Sequence, residues 1–512
     1  MKRILLLLIV LMAVLSVSAV SAGDNATAEL DAADEPVIEE VQEDVLEQND
    51  AQVLSDEPAS DTNRTVSKIE ASSVKGYESF TTTVSFKLTS DDKPLASKTV
   101  SVMINGVSYT RTTDVDGKAS VDVDLKKGSY KATFNYLGDN ATTEATATAE
   151  ITISEPVKTS MKLGDKDINY RQGSKCLFYV KLLDANGKPI KNQWVTFTVA
   201  GKTYTAKTNK NGEAKIYLNL KKGKYKVKYS FKKTAPYLAS SGSATIKVKA
   251  KMAKGDGYWL WSSHMKKVNL KSLAKKGTKH ILLHVHAIAQ YGKAAVISFI
   301  KKAHKYKIKV HLWMQVCYNG GKWVRPVNKD GSLKYGFMNK KIAEAKKYAK
   351  IKGVDGIHFD YVRFGGTAHL YKTSDKAINY FVKKASLQIH KIKPNCMVTG
   401  ALMPEPSMMH YYYGQDVPTM SRYMDALIPM VYKGNYHQTT KWITSVTKKF
   451  VEQSNGAQIW TGLQSYHSDN NAKKLSQKSL LKDAKAAKLG GAKGIVLFRI
   501  GISCNFNFKL VK

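Results

Sequence analysis

The chain is 512 residues long, 43% hydrophobic and 24% charged, with 80 Lys and Arg against 42 Asp and Glu and a formal net charge of +38. That length points to more than one domain. Four cysteines, Cys176, Cys317, Cys396 and Cys504, lie scattered without CxxC spacing, which argues against a disulfide framework and against a cysteine zinc site.

The chain opens Met1-Lys2-Arg3, runs apolar from Ile4 to Val17 and continues SAVSA. A basic start, a short apolar run and small residues before a cut after Ala22 make residues 1–22 an export signal. An uncleaved anchor is the alternative, although the run is short against the roughly 20 residues of a membrane span. From Asp24 to Asp61 there are fourteen acids and no Lys or Arg, so residues 23–65 are expected to form a disordered acidic stalk. After Asp61, 78 basic residues face 28 acidic ones, about +50 in net charge. Export argues against nucleic acid as the partner of that charge. An anionic surface fits better: a wall polymer bearing carboxylates, or anionic lipid heads in the cell envelope. A lysine-rich composition with no partner behind it is the plain alternative. Sequons at Asn25, Asn63 and Asn140 permit N-glycosylation.

An internal repeat follows. "DDKPLASKTVSV" (Asp91 to Val102) matches "NGKPIKNQWVTF" (Asn186 to Phe197), and "DVDGKASVDVDLKKGSY" (Asp114 to Tyr130) matches "NKNGEAKIYLNLKKGKY" (Asn209 to Tyr225), both at an offset of 95. Apolar and polar residues alternate between Gly-containing turns, which predicts two β-sandwiches, residues 66–155 and 156–250. Both copies resemble the immunoglobulin-like modules of microbial surface adhesins. Neither carries a cluster of acids, His or Cys, so both are expected to be spacers.

From Gly255 onward apolar strands alternate with lysine-rich amphipathic helices. Strands are expected at Tyr258–Trp261, His280–His286, Lys309–Val316, Gly356–Val362, Met397–Met403, Ala426–Tyr432, Gln458–Tyr466 and Gly494–Ile500. Helices are expected between them, for example Gly292 to Tyr306, Met338 to Ile351 and Ser476 to Gly490. Eight strands with helical crossovers over residues 256–512 predict an α/β fold, a (β/α)8 TIM barrel behind the two all-β modules. Strands covered on both faces account for the near-continuous apolar runs.

One of those runs, "GVDGIHFDYVRF" (Gly353 to Phe364), carries charge. Asp355 precedes the strand and belongs at the bottom of the barrel, as a turn or cap. Asp360 lies near the top, where barrel enzymes place their chemistry. Alternation puts His358, Asp360 and Val362 on one face, with Phe359, Tyr361 and Arg363 on the other. An acid there is costly to bury unpaired. Either it makes a salt bridge with Arg363 or it is a catalytic acid.

This stretch resembles the signature strand "GFDEIQFDYVRFP" of glycoside-hydrolase-like barrel proteins. A second stretch, "YGQDVPTMSRYMDALIPMVYKGNY" (Tyr413 to Tyr436), is similar to that family's "GQ…DYISPMVYPSHY". The resemblance covers roughly Asp256 to Lys512 and implies a carbohydrate-active barrel. Two departures, Gly365 in place of proline after "VRF" and "KGNY" in place of "PSHY", bear on loop shape and specificity.

Glycosidic cleavage generally needs two carboxyl groups flanking the bond. Asp360 is the first candidate, Glu405 in "ALMPEPS" after the fifth strand the second, and Asp416 beside Gln415 the third; Glu405 between two prolines is alternatively a rigid loop acid. Asp469 trails them, and Asp425 belongs at the bottom. Aromatic and amide side chains at strand tops suit sugar faces and hydroxyls: Trp313, Gln315, Gln415, Tyr432, Gln464 and Tyr466, with Arg363 and Arg499. Each is alternatively a core residue. His284 and His286 form His-x-His on the second strand, with His311 and His358 further round. A zinc site from these is the lesser reading, and substrate contact by His284, His286 and His358 the preferred one. Cys317 near His311 lacks any cysteine-protease signature. No metal or cofactor is expected. The function expected is an exported, cell-surface or wall-associated glycoside hydrolase acting on a polysaccharide, with anionic wall glycans among the candidates. The alternative is a non-catalytic glycan-binding adhesin or scaffold. A wall peptidase would need an activated nucleophile or metal that the sequence does not offer.

Overall fold

The computed structural model describes residues 64–165 and 167–511. The export signal and nearly all of the acidic stalk expected from sequence lie outside these residues. Among the described residues no helix is long and apolar enough to cross a membrane, and all four cysteines are unpaired.

The N-terminal part is β-rich, and its two repeats share one strand plan. In the first, Thr99–Ile104 pairs with Val107–Thr112 and with Gly128–Tyr136, which pairs with Ala145–Ser154. In the second, Trp194–Val199 pairs with Lys202–Lys207 and with Gly223–Phe231, which pairs with Ser240–Val248. A second sheet in each copy is built on Thr82–Ser90 or Cys176–Asp184. Alternating residues of both sheets close one apolar core per module, around Val84, Phe86, Val102 and Phe134 in the first and Phe178, Val180, Phe197 and Val227 in the second. The period-2 pattern read from sequence is therefore a sheet with one wet and one dry face.

The copies differ in one segment. Val74–Tyr77 of the first is a strand, parallel to Ala145–Ser154. The corresponding stretch of the second is reduced to a single bridge between Arg171 and Lys249. It stays tied to its own module, with Ile168 and Tyr170 in that module's core and Lys249 N donating to Tyr170 O at 2.9 Å, and it bonds to the barrel as well. Asn169 donates from its backbone to Arg422 O at 2.8 Å, and its side chain donates to Asp425 Oδ1 at 2.8 Å. Arg171 pairs with the same carboxylate, and Asp165 accepts from Tyr423 and from Lys383 at 3.3 Å. The second module, expected as a spacer, is thus fastened to the barrel.

The barrel is closed by eight parallel strands: β1 Gly257–Leu260, β2 His280–His284, β3 Lys309–Gln315, β4 Gly356–Asp360, β5 Met397–Leu402, β6 Ala426–Val431, β7 Gln458–Gln464 and β8 Gly494–Phe498. Seven helices lie between them in sequence: α1 Leu270–Lys275, α2 His286–Lys305, α3 Tyr335–Ala349, α4 Ser374–Ile392, α5 Val417–Met420, α6 Thr440–Gln453 and α7 Gln477–Leu489. One parity of each strand, including Ile281, Leu312, Ile357 and Phe359, packs outward with Val296, Ile342, Phe381 and other helix residues. The opposite parity, including Trp259, Leu282, Trp313, Ile428 and Trp460, fills the barrel interior. Room for the Trp259 indole comes from Gly462 in β7, where an added Cβ would lie 2.9 Å from Trp259 Cη2.

The interior also carries imidazoles. His280 and His311 bond to each other at 3.0 Å. Trp259 donates to His358 Nε2 at 3.0 Å, so the opposite nitrogen carries the proton that faces Thr399 Oγ1, also at 3.0 Å. Burial depresses His311 and His358 to about 3 and His280 well below its ordinary value. These rings are neutral packing elements. His358, expected to touch substrate, has both nitrogens occupied inside the barrel.

At the bottom, acids act as fasteners. Asp355 accepts from Val310 N at 2.8 Å and pairs with His304 at 2.7 Å. Asp425, fully buried, accepts from Val398 N at 2.9 Å and His390 Nε2 at 3.3 Å besides Asn169 and Arg171. Burial alone would raise its carboxyl, but the His390 bond and the Arg171 charge outweigh that and hold it far below the usual carboxylate range.

Candidate active site at the barrel mouth

Several strands end sooner than the apolar runs suggest, because pairing stops at the barrel rim. β4 ends at Asp360, two residues before Val362, and β2 at His284, two before His286. Asp360 keeps the inward parity of His358. It is 8% exposed. Its Oδ2 accepts from Trp313 Nε1 at 3.0 Å and its Oδ1 from the Tyr361 N–H at 2.7 Å. Burial pushes the carboxyl above its ordinary range, and the Tyr361 and Trp313 bonds and the Arg363 charge pull it back only in part.

The expected alternation stops at the next residue. Tyr361 sits at φ +51, a left-handed conformation that costs a non-glycine residue about 1–3 kcal/mol unless its surroundings fix it. Those surroundings are aromatic: its ring stacks on Tyr318 at 4.8 Å and meets Trp323 edge-on at 5.6 Å. The turn carries Arg363 back to the mouth. Arg363 and Asp360 form no ion pair, so the salt-bridge reading of Asp360 fails. The Arg363 guanidinium lies over the rings of Trp323, Tyr361 and Tyr413, at 4.8, 5.3 and 5.4 Å.

Glu405 follows β5. Its Oε1 accepts from Tyr436 at 2.8 Å and Tyr413 at 3.2 Å, while its Oε2 is buried without a partner among the described residues. Tyr413 ends the π turn Met409–Tyr413, which Gly414 terminates at φ +65. Burial and the nearby Glu405 raise the Tyr413 hydroxyl to about 12. The Arg363 charge lowers the Asp360 carboxyl and the Tyr413 and Tyr436 hydroxyls alike, each against the larger effect of burial.

The rest of the mouth is aromatic and amide. His284 packs against Trp261 and Trp313, each at 4.8 Å, and burial lowers its imidazole to about 4. Arg499 lies 5.8 Å over Trp261. Gln315 ends β3 opposite Asp360. Tyr432 keeps a buried hydroxyl without a partner among the described residues, pushed up by burial with Asp360 as the next contributor. Gln464 exchanges two hydrogen bonds with Asn435, at 3.3 and 2.8 Å; Asn435 reaches Asp469 at 2.8 Å, and Tyr466 donates to Asp469 at 2.5 Å. A cavity of about 310 Å³ opens beside this network, lined by Lys433, His437, Gln464, Tyr466 and Asp483 and by neither Asp360 nor Glu405.

Three other residues picked from sequence stand elsewhere. His286 is an exposed residue of α2, because Val285 turns helical and ends the strand alternation. Gln415, 1% exposed, spends its amide on Met403 N, Val362 O and Ala401 O, each at 3.2 Å. Asp416 caps α5 through Thr419 N at 3.3 Å and accepts from Asn379 at 3.3 Å. Conversely, Trp261, Trp323, Tyr413, Asn435 and Tyr436 were missed. Tyr413 and Tyr436 are the two ends of the second motif stretch, which was the available signal. Among the described residues no group of three or more His, Cys, Asp or Glu is placed to hold a metal.

Residues 247–483 match the family model described as "Putative glycosyl hydrolase domain". The match takes in seven of the eight barrel strands, and the sheet closes with β8, beyond the matched residues. Residues 161–252 match the Macroglobulin domain MG4. No curated protein matches the chain. Among solved structures, the chain is similar to the spore cortex-lytic enzyme SleL of Bacillus megaterium QM B1551, at 14% identity and TM-score 0.37 over 52% of this chain and 76% of that one. It is also similar to a class V chitinase from Pseudomonas fluorescens Pf-5, at 12% identity and TM-score 0.40 over 51% and 98%. The fibronectin(III)-like modules of Clostridium thermocellum CbhA match at 12% identity and TM-score 0.25 over 36% and 94%.

The departure at Gly365 has a structural counterpart in the barrel. A Cβ there would lie 2.7 Å from Trp323 Cε2. The glycine is what lets the Trp323 indole close over Arg363.

Proposed function

We propose that the protein is an exported, cell-surface or wall-associated glycoside hydrolase acting on a polysaccharide, with immunoglobulin-like modules presenting a (β/α)8 catalytic barrel. The observation that carries this reading is Asp360: an inward carboxyl at a strand top, hydrogen-bonded by Trp313, without a salt bridge and shifted toward its protonated form. A carboxyl group whose protonated form burial favours suits a general acid that protonates a glycosidic oxygen. Asp360 donates its proton to the leaving oxygen. Glu405 is the second carboxylate. Tyr413 and Tyr436 fix its Oε1, and its unpartnered Oε2 faces either the anomeric carbon or an attacking water. Trp261, Trp313 and Tyr432 supply stacking surfaces for sugar rings, while Gln315 offers an amide to hydroxyls. The excess of basic residues favours retention at an anionic cell envelope.

Product analysis of purified wall polysaccharides incubated with the protein tests the reading. Release of shorter oligosaccharides is expected. Binding of a glycan without any cleavage across the panel would instead assign the protein to the glycan-binding class.

A further inference from the structure

We infer that Arg363 is the receptor for a substrate carboxylate, so that the mouth selects glycans containing uronic acid residues. This rests on the reading that the mouth takes a glycan. A guanidinium carries five N–H donors. Among the described residues Arg363 spends one, from Nη1 to Phe364 O at 3.1 Å, and its Nε is buried with no partner. No carboxylate of the described residues pairs with it. Burying a cation without an anion is costly, and proteins normally supply one. Here the surroundings supply three aromatic rings, which hold the planar group by cation–π contact, and at its Nη edge the remaining N–H donors have no hydrogen-bond partner among the described residues.

Three features place that edge where a sugar would lie. Arg363 is partly exposed, it lies over the rings of Tyr361, the neighbour of Asp360, and of Tyr413, which donates to Glu405, and Trp323, whose ring covers it, is itself 40% exposed. Gly365 provides the space for that ring. An exposed indole beside a free guanidinium fork matches one chemical class: a sugar ring to stack and a carboxylate on it to bind in two parallel hydrogen bonds. The general basic surface attracts any polyanion. Arg363 distinguishes a carboxylate on the residue seated at the acid pair.

Calorimetric binding of an oligo-β-1,4-glucuronate and the neutral cello-oligosaccharide of equal length, at physiological salt, tests this without requiring turnover. The unsubstituted protein is expected to bind the acidic oligomer roughly 10- to 100-fold more tightly, the range of one or two charge-assisted hydrogen bonds. Arg363→Gln is expected to bring the two affinities together, and Arg363→Lys to keep part of the difference because it keeps charge without the fork. Lys301→Gln, on the exposed face of α2, controls for bulk charge and is expected to leave the ratio unchanged. If Arg363→Gln does not fold, Gly365→Ala, which displaces Trp323 and leaves the guanidinium, is expected to reduce the ratio severalfold. Equal affinities in the unsubstituted protein, no binding of the acidic oligomer, or a ratio unmoved by the Arg363 and Gly365 variants overturns the inference. So does tighter binding of a phosphodiester-linked glycan than of the glucuronate. Cleavage of a neutral glycan alone would overturn it while leaving the hydrolase reading standing.

Discussion

Trp313 donates its indole N–H to Oδ2 of Asp360 at 3.0 Å, across the top of neighbouring strands β3 and β4. This bond opposes the effect of burial on the carboxyl, since it favours the ionised form. Trp313→Phe keeps an aromatic ring and removes the donor, so the carboxyl should move further upward. A general acid is active while protonated, and the rate falls as pH rises past its pKa. The alkaline limb of the pH–rate profile for polysaccharide cleavage should therefore move to higher pH in Trp313→Phe. An unmoved limb, or one moved to lower pH, would detach Asp360 from the acid role.

Asp360→Asn preserves shape and removes the ionisable group, keeping one of the two acceptor oxygens that Trp313 and the Tyr361 N–H use. Turnover is expected to fall about 100- to 10,000-fold. Stability should change in the opposite direction. The carboxyl is raised in the folded state, so the folded protein holds the proton more tightly than the unfolded chain. The stability this gives is complete below the unfolded carboxyl range and is lost as pH rises through the raised folded value. The Asn variant has no such loss. Its melting temperature relative to the unsubstituted protein should rise between pH 4 and pH 7. A lowered melting temperature at pH 7 with turnover intact would make Asp360 structural and shift the catalytic assignment to Glu405.

The sequence located all eight strands, because residues covered on two faces leave continuous apolar runs. It overran their tops. His286, Val362, Tyr466 and Ile500 continue apolar or alternating patterns, yet β2, β4, β7 and β8 stop at His284, Asp360, Gln464 and Phe498. Hydropathy does not register where hydrogen-bond pairing ends at a rim. The positive φ of Tyr361 was hidden for the same reason, and with it the return of Arg363 to the mouth. Asp360 itself was legible as an acid in an apolar strand. The tyrosines of Glu405 were not, since they lie 8 and 31 residues away and meet it only in space. Gln415 and Asp416 carry polar side chains at a loop, a pattern that cannot separate a substrate contact from a backbone clamp or a helix cap.

The paired imidazoles inside the barrel predict acid sensitivity. His280 and His311 face each other, with Trp460 against both, and among the described residues no carboxylate is bonded to either ring. Lys309 adds further positive potential to both, and Asp425 offsets it weakly at His311. Their folded-state values lie below the unfolded value, so the unfolded chain binds more protons below about pH 6.5. Stability should fall as pH drops below that value and go on falling toward the depressed folded values. Replacing both rings together, His280→Phe with His311→Leu, removes two coupled polar groups at once and avoids orphaning one. The acid-unfolding midpoint of the double variant should move to lower pH. A midpoint that stays in place would assign acid unfolding to other groups.

The attachment of the second module to the barrel rests on a buried charge. Arg171 and Asp425 are 254 residues apart, and their side chains are 15% and 0% exposed. Removing one partner of such a pair strands the other, at a typical cost of about 3–5 kcal/mol. Arg171→Ala leaves Asp425 with Asn169, His390 and Val398 as donors, so the lower end, about 3 kcal/mol, is expected. The location of the loss separates two descriptions of the module. If it is a spacer joined only through the chain, the variant's barrel should melt as before. If it is part of the barrel's support, the barrel transition itself should shift down, because Asp425 also anchors the start of β5 through Val398 N. Scanning calorimetry of the intact chain, with tryptophan fluorescence reporting the barrel through Trp259, Trp313 and Trp460, distinguishes them. A fluorescence transition at unchanged temperature in Arg171→Ala would return the module to the role of a spacer.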